Sequence, residues 1–277
     1  MDNIIAQIAE LIERAEGGGG RRVYHEALQQ VALAGMYRAG FFDRAAFYGG
    51  TCLRLFHGLD RFSEDLDFSL FAADEAFDLS VYFDTMRAEF AAYGCEVELQ
   101  KKTKTARTQV ESAFLKANTE IYDLSSKIKG DIKIKIEVDV SPPAGFAIEP
   151  KLLLLPFSFY TPCFVLPDLF AGKMHALLFR KWKTRVKGRD WYDFEWYVRR
   201  GVSLGLKHFN TRMRQFEGSD SDFSDGELRE ALRARINMLD INQAREEVTP
   251  FVRNPEALRI WSKEYFLELA GEMKTAR

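Results

Sequence analysis

Tyr48-Gly49-Gly50-Thr51, thirteen further residues, then Asp65-Leu66-Asp67-Phe68: the fold of this 277-residue chain turns on that stretch. Ala45 to Tyr48 is short and apolar, as a buried strand is, and it runs straight into the two glycines. The pattern then predicts a helix from about 52 to 58, a turn holding Asp60 and Arg61, and a second strand through Leu66, Phe68 and Leu70. A strand that enters Gly-Gly-Thr at a helix start offers unpaired backbone N–H groups with no side chain in the way. With the helix dipole behind them, such groups suit a phosphate. Thr51 adds a hydroxyl donor. Residues two apart in a strand point the same way, so Asp65 and Asp67 should share one face while Leu66 and Phe68 enter the core. Two carboxylates held together repel unless a cation neutralises them. An oxygen-only donor set favours Mg²⁺, completed by water and substrate phosphates.

Further along, Ile132, Ile134, Ile136, Val138 and Val140 alternate with Lys133, Lys135, Glu137 and Asp139. Period 2 predicts a strand over 132–140 with one buried face and one open, charged face. Glu137 and Asp139 stand on the open face, where either could supply a third carboxylate. Glu96–Lys102 and Gln109–Lys116 read as two more strands, able to form a hairpin. Helices are expected over 4–16, where Ile4, Ile5, Ile8, Leu11 and Ile12 share a face, over roughly 22–39, and over 78–93 up to Gly94. The Gly17–Gly20 run reads as a flexible link. After Pro167 the character changes: Asp168 can cap a helix to about 182, a second spans roughly 190–199, and the remainder reads as helices. The expected architecture is α+β, a mixed sheet flanked by helices over residues 1–165, then a helical domain over 166–277.

Composition narrows the class. Hydrophobic residues make up 47% and charged residues 29%, the balance of a globular protein. Apolar runs such as Leu152 to Leu155 do not exceed four residues, far short of the ~20 a membrane span needs, so no membrane association is expected. The N-terminus is acidic and amphipathic rather than a signal peptide. Cys52, Cys95 and Cys163 are odd in number and widely spaced, which argues against a disulfide framework or a zinc site and fits a reducing, cytoplasmic setting. His25, His57, His175 and His208 show no metal spacing, and neither a Gly-x-Ser-x-Gly elbow nor a Walker or dinucleotide loop occurs.

Gly-Gly-Thr followed by Asp-x-Asp resembles the signature of the DNA polymerase beta-type nucleotidyltransferase superfamily. The fuller string Gly49-Gly50-Thr51-Cys52-Leu53-Arg54-Leu55 with Arg61-Phe62-Ser63-Glu64-Asp65-Leu66-Asp67-Phe68 is similar to its AbiEii/AbiGii toxin family. Lys135 to Asp139, Phe170 to Leu177 and Gly188 to Asp193 continue the match, which covers about residues 45–200. Where many superfamily members carry Ser, this chain has Thr51, and the hydroxyl survives.

The resemblance implies roles. Asp65 and Asp67 would bind Mg²⁺ and the nucleotide triphosphate, and Glu137 matches the third strand carboxylate, with Asp139 as the alternative. Gly49, Gly50 and Thr51 would seat phosphate oxygens. Lys173 would approach the triphosphate from the helical half, facing the acids across a cleft. Asp190 would orient Lys173 or the acceptor, Asp193 could simply support its helix, and Arg61 would shape the turn before Asp65. The implied reaction is Mg²⁺-dependent transfer of a nucleoside monophosphate from an NTP to an RNA, plausibly a tRNA 3′ end, by a toxin with a cognate antitoxin as partner. Two alternatives stand beside it: transfer to a small-molecule or protein hydroxyl, and a non-catalytic nucleotide- or partner-binding module.

The net charge of −2 hides one local asymmetry: Arg180, Lys181, Lys183, Arg185, Lys187 and Arg189 fall within ten residues that contain no acid. These cations could track RNA phosphates, with Trp182 and Trp191 stacking on unpaired bases. Equally, they could complement a helix C-terminus with no ligand at all.

Overall fold

The computed structural model describes residues 4–16, 20–102, 110–117, 131–180 and 186–276. The chain divides into two compact units. The first holds the residues up to Gly58, Phe62–Pro142 and Glu149–Cys163; the second holds Leu59–Arg61, Pro143–Ile148 and Phe164 onward. The elements of the first part of the chain are α1 (Ile4–Glu16), α2 (Arg21–Arg38), β1 (Ala45–Tyr48), α3 (Gly49–His57), β2 (Leu66–Leu70), α4 (Phe83–Ala92), β3 (Val97–Lys101), β4 (Val110–Ala117), β5 (Ile132–Asp139), β6 (Ile148–Leu153) and β7 (Phe159–Phe164). After them come α5 (Leu166–Phe179), α6 (Gly188–Arg199), β8 (Ser203–Gly205), α7 (Leu206–Arg212), α8 (Asp225–Asn237), α9 (Ile241–Val248), α10 (Lys263–Glu272) and β9 (Lys274–Ala276).

Seven strands form one sheet in the order β3-β4-β5-β2-β1-β7-β6. β2 runs antiparallel to β1 and parallel to β5, β1 runs parallel to β7, and β4 is antiparallel to both β3 and β5. The fold is therefore α+β with a mixed central sheet. The alternation of β5 works as expected: Ile132, Ile134, Ile136 and Val138 are fully buried, as are Leu66 and Phe68 of β2 and Phe47 of β1. Phe68 anchors that face, its ring centroid 5.0 Å from Phe47 and 4.9 Å from Phe41. α2 is buried almost all round, and its Gly35 lets α4 approach, since a Cβ there would meet Met86 Cα at 3.1 Å. Arg54 of α3 reaches Glu26 of α2 at 2.9 Å with both side chains buried, which ties the helix after Gly-Gly-Thr to the core.

Several expectations change. α3 begins at Gly49, not near 52, so both glycines lie in its first turn. The predicted helix over 78–93 splits into a 3₁₀ turn, Leu79–Tyr82, capped by Asp78, and α4. Asp168 is not an N-cap: α5 starts at Leu166, and the Asp168 carboxylate accepts the Ala147 N–H at 2.7 Å. Strands β6 and β7 were not expected, nor was the small parallel pair β8–β9. Gly17 to Gly19, Gln109 and residues 181–185 lie outside the described residues.

Three histidines give the stability a pH dependence. Burial, with Lys151 nearby for His57 and Arg212 for His175 and His208, pulls each imidazole from its ordinary 6.5 down to about 4. Unfolded imidazoles take up protons below about pH 6.5 while the folded ones stay neutral until about pH 4, so stability falls across that window as pH drops. The loss should be on the order of 1–3 kcal/mol per histidine by pH 4, smaller for the more exposed His57. Urea midpoints measured at about pH 7 and about pH 4.5 should differ clearly; equal midpoints would contradict this account of the three rings.

Candidate active site

The register of β1 on β2 pairs Tyr48 with Asp67, so α3 starts beside the Asp67 carboxylate. Gly49 makes that approach possible. Its φ is +84°, in the left-handed region, and a Cβ there would collide with the Asp67 carboxylate and lie 3.1 Å from Asp67 Cβ and Cγ. Thr51 is buried, and its hydroxyl donates to the backbone carbonyl of Asp65. The hydroxyl expected to face a phosphate thus fastens the residue before β2 onto the start of α3. The first-turn N–H groups of α3, which have no intrahelical acceptor, are the donors this corner presents.

β2 and β5 place the acids. Asp67 pairs with Glu137, and Ser69 with Asp139. Paired residues on neighbouring strands project from the same face about 4.8 Å apart. Because Leu66 and Phe68 fill the core, Asp67 and Glu137 stand side by side on the opposite face, both half-buried. Glu137 Oε2 is 2.7 Å from Lys135 Nζ, and its Oε1 is 3.5 Å from the Ser112 hydroxyl, the outer limit of a hydrogen bond. Asp139 is 8% exposed, and its Oδ1 accepts the Ser141 N–H at 3.0 Å. Asp65 precedes β2 and is half-buried.

The convergence of three carboxylates expected from the sequence is not seen: among the described residues, no three His, Cys, Asp or Glu side chains gather in a cation-holding group. The reason lies in the partners just named, since Glu137 leans on Lys135 and Asp139 supports the turn at the end of β5. By donor type, the paired carboxylates of Asp67 and Glu137 fit a hard divalent cation.

A second cluster lies wholly in the second unit. Lys173 Nζ of α5 is 2.9 Å from Asp190 Oδ1 and 2.8 Å from Asp193 Oδ2, both on α6. Arg61 grips Asp193 with two hydrogen bonds, Nε to Oδ1 at 2.6 Å and Nη2 to Oδ2 at 2.7 Å. Arg180 reaches Asp190 Oδ2 at 3.1 Å. Burial opposes the charges of Lys173, Arg61 and Asp193. Their opposite-charge neighbours outweigh it, so the two cations are held above their ordinary pKa and Asp193 below its own. Asp190 therefore touches Lys173, and Asp193 does more than support its helix. The Arg61–Asp193 pair spans 132 residues of sequence, and no local pattern announces it.

The basic run looks different in place. Arg180 is paired with Asp190, while Arg189 is 3.3 Å from Glu247 and lies over the Phe251 ring. Lys181, Trp182, Lys183 and Arg185 lie outside the described residues. Trp191 cannot stack on a base. It is fully buried against Phe194 and Phe266, because Trp191, Phe194 and Glu195 fall at helical spacing on a buried side of α6. That periodicity was readable in the sequence.

Comparison with known proteins gives a family and a fold. A family model described as "Nucleotidyl transferase AbiEii toxin, Type IV TA system" matches residues 31–268. A crystal structure of a candidate nucleotidyltransferase from H. pylori is 18% identical with a TM-score of 0.51, over 90% of this chain and 91% of that one. JHP933 from Helicobacter pylori is 17% identical with a TM-score of 0.51, over 90% and 88%. At such identities the likeness is one of fold. No curated protein matches the chain. Among the described residues, no helix is long and apolar enough to cross a membrane.

Proposed function

The chain belongs to the AbiEii family of nucleotidyl transferase toxins, and from that premise we propose that it transfers a nucleoside monophosphate from an NTP to a hydroxyl of an RNA. The acceptor oxygen attacks the α-phosphorus, the bond to the bridging oxygen breaks, and pyrophosphate leaves. The observation that carries this reading is the direct pairing of Asp67 with Glu137 beside the glycine start of α3. The first-turn N–H groups of Gly50 and Thr51 bind phosphate oxygens. Asp67 and Glu137, with Asp65 two residues before Asp67 in the chain, would hold Mg²⁺, which would lower the cost of charge on the attacking and leaving oxygens. Lys173, kept charged by Asp190 and Asp193, supplies a compact cation to the triphosphate. The basic sequence from Arg180 to Arg189 and the toxin family favour RNA over a small-molecule or protein acceptor, and a toxin–antitoxin role implies a cognate antitoxin.

Each α-labelled NTP supplied with Mg²⁺ and fractionated RNA, protein or neither tests the reading. The label should pass to RNA, tRNA first among the fractions. Label on protein, or on nothing, would refute it.

The third carboxylate is separately testable. Glu137→Gln should lower transfer by about 10²-fold or more with the fold retained, since it removes a charge paired with Asp67. Asp139→Asn keeps a carbonyl acceptor for the Ser141 N–H and should retain most activity. The reverse ranking would assign the role to Asp139.

A further inference from the structure

Lys173 is held more elaborately than a cation that only meets a substrate requires. One carboxylate would neutralise it, yet both Asp190 and Asp193 lie within 3 Å of its Nζ. Two acids on one ammonium leave a net negative charge, and that would repel a phosphate. Arg61 changes the balance. It takes both oxygens of Asp193 in a side-on fork, with Arg61 3% exposed and Asp193 fully buried. With Arg180 on the far oxygen of Asp190, three cations surround two carboxylates, leaving one positive charge in surplus.

We propose that Arg61 and Asp193 are positioning residues for Lys173: Asp193 fixes the ammonium in place, and Arg61 cancels the charge of Asp193 so that the ammonium still attracts an anionic substrate. The proposal rests on the reading of Lys173 as a nucleotide-binding cation. It also gives Arg61, four residues before Asp65 in the chain, a function beyond shaping a turn. Among the described residues, the charged groups facing the ammonium are Asp190 and Asp193 of α6 and Arg61, with Arg180 behind Asp190 and Glu247 bearing on Arg61.

The two partners should act on Lys173 in opposite senses, which a purely structural role would not produce. In Asp193→Asn, burial is opposed by one carboxylate alone and Arg61 is left uncompensated, so Lys173 should titrate at lower pH than in wild type. In Arg61→Gln, a neighbouring cation is lost, so Lys173 should titrate at higher pH. Both variants should raise KM for the NTP roughly 10- to 100-fold, the first by loosening the ammonium and the second by cancelling its field. Arg61→Lys, which restores the charge without the fork, should recover part of the loss.

The experiment follows the Lys173 side chain by NMR in full-length protein labelled on lysine Cε, with Lys173→Gln to assign the signal, alongside KM and kcat for transfer across pH. Where a single variant does not fold, the charge-balanced pair R61Q/D193N carries the KM reading. Opposite titration shifts with a raised KM establish the proposal. An unchanged Lys173 titration in folded Asp193→Asn, or an unchanged KM in folded R61Q/D193N, overturns it. Should wild type transfer no label at all, the functional reading fails instead, and the NMR titration still decides whether Asp193 governs Lys173.

Discussion

Asp67→Asn should abolish nucleotide transfer and leave the fold intact. Asp67 sits opposite Glu137 on the open face of the sheet, half-buried, with the first turn of α3 against its carboxylate. Substitution by Asn keeps shape and volume but removes the charge that a hard cation needs from this position. Loss of cation stabilisation is worth several kcal/mol in the transition state, on the order of 10³-fold or more in kcat. Stability should stay level or rise by up to about 1 kcal/mol, because like charges directly opposite on paired strands destabilise a sheet. Single-turnover transfer and a urea titration on the same preparation check both halves. An active variant would remove Asp67 from the chemistry, and an unfolded one would make its role structural.

Gly49→Ala is expected to damage both stability and transfer. The backbone at +84° costs an L-residue about 1–2 kcal/mol. The new methyl would also strike the Asp67 carboxylate, and relieving that overlap should cost about 1–3 kcal/mol more. Either α3 or Asp67 must move, and a displacement near 1 Å at a reacting centre can cost about 10²-fold in rate. Gly94→Ala is the matched control. Gly94 has φ +71° but nothing within 4 Å of the added methyl, so it should show the backbone cost alone and normal transfer. Equal effects of the two substitutions on transfer would show that the contact with Asp67 is unimportant.

Local pattern carried much of the fold. The strict alternation in β5, the apolar run of β1 and the hairpin strands β3 and β4 are statements about neighbours in sequence, and period 2 reads them directly. β6 and β7 escaped because Pro150 and Pro162 interrupt them and Glu149 and Lys151 blur their alternation. β6 lies at the sheet edge, where a proline costs no ladder bond. The three-residue pair β8 and β9 joins segments about seventy residues apart and has no local signature.

For the site, Asp-x-Asp and Gly-Gly-Thr were visible as motifs. What they touch was not. Nothing in β2 or β5 alone specifies that Asp67 pairs with Glu137 rather than Asp139, because register is set by the whole sheet. The fate of the Thr51 hydroxyl depends on a turn fourteen residues away. The reading of Trp191 as a stacking platform went wrong on its basic neighbours, when the helical spacing of its apolar ones already placed it inside.

Whether Asp67 and Glu137 jointly hold a divalent cation beside the start of α3 is decided by anomalous diffraction from crystals grown with Mn²⁺ and a non-hydrolysable NTP. A manganese peak is expected about 2 Å from carboxylate oxygens of both residues, with Glu137 released from Lys135 and phosphate oxygens completing the shell. A bound nucleotide whose metal contacts neither Asp67 nor Glu137 would contradict that expectation.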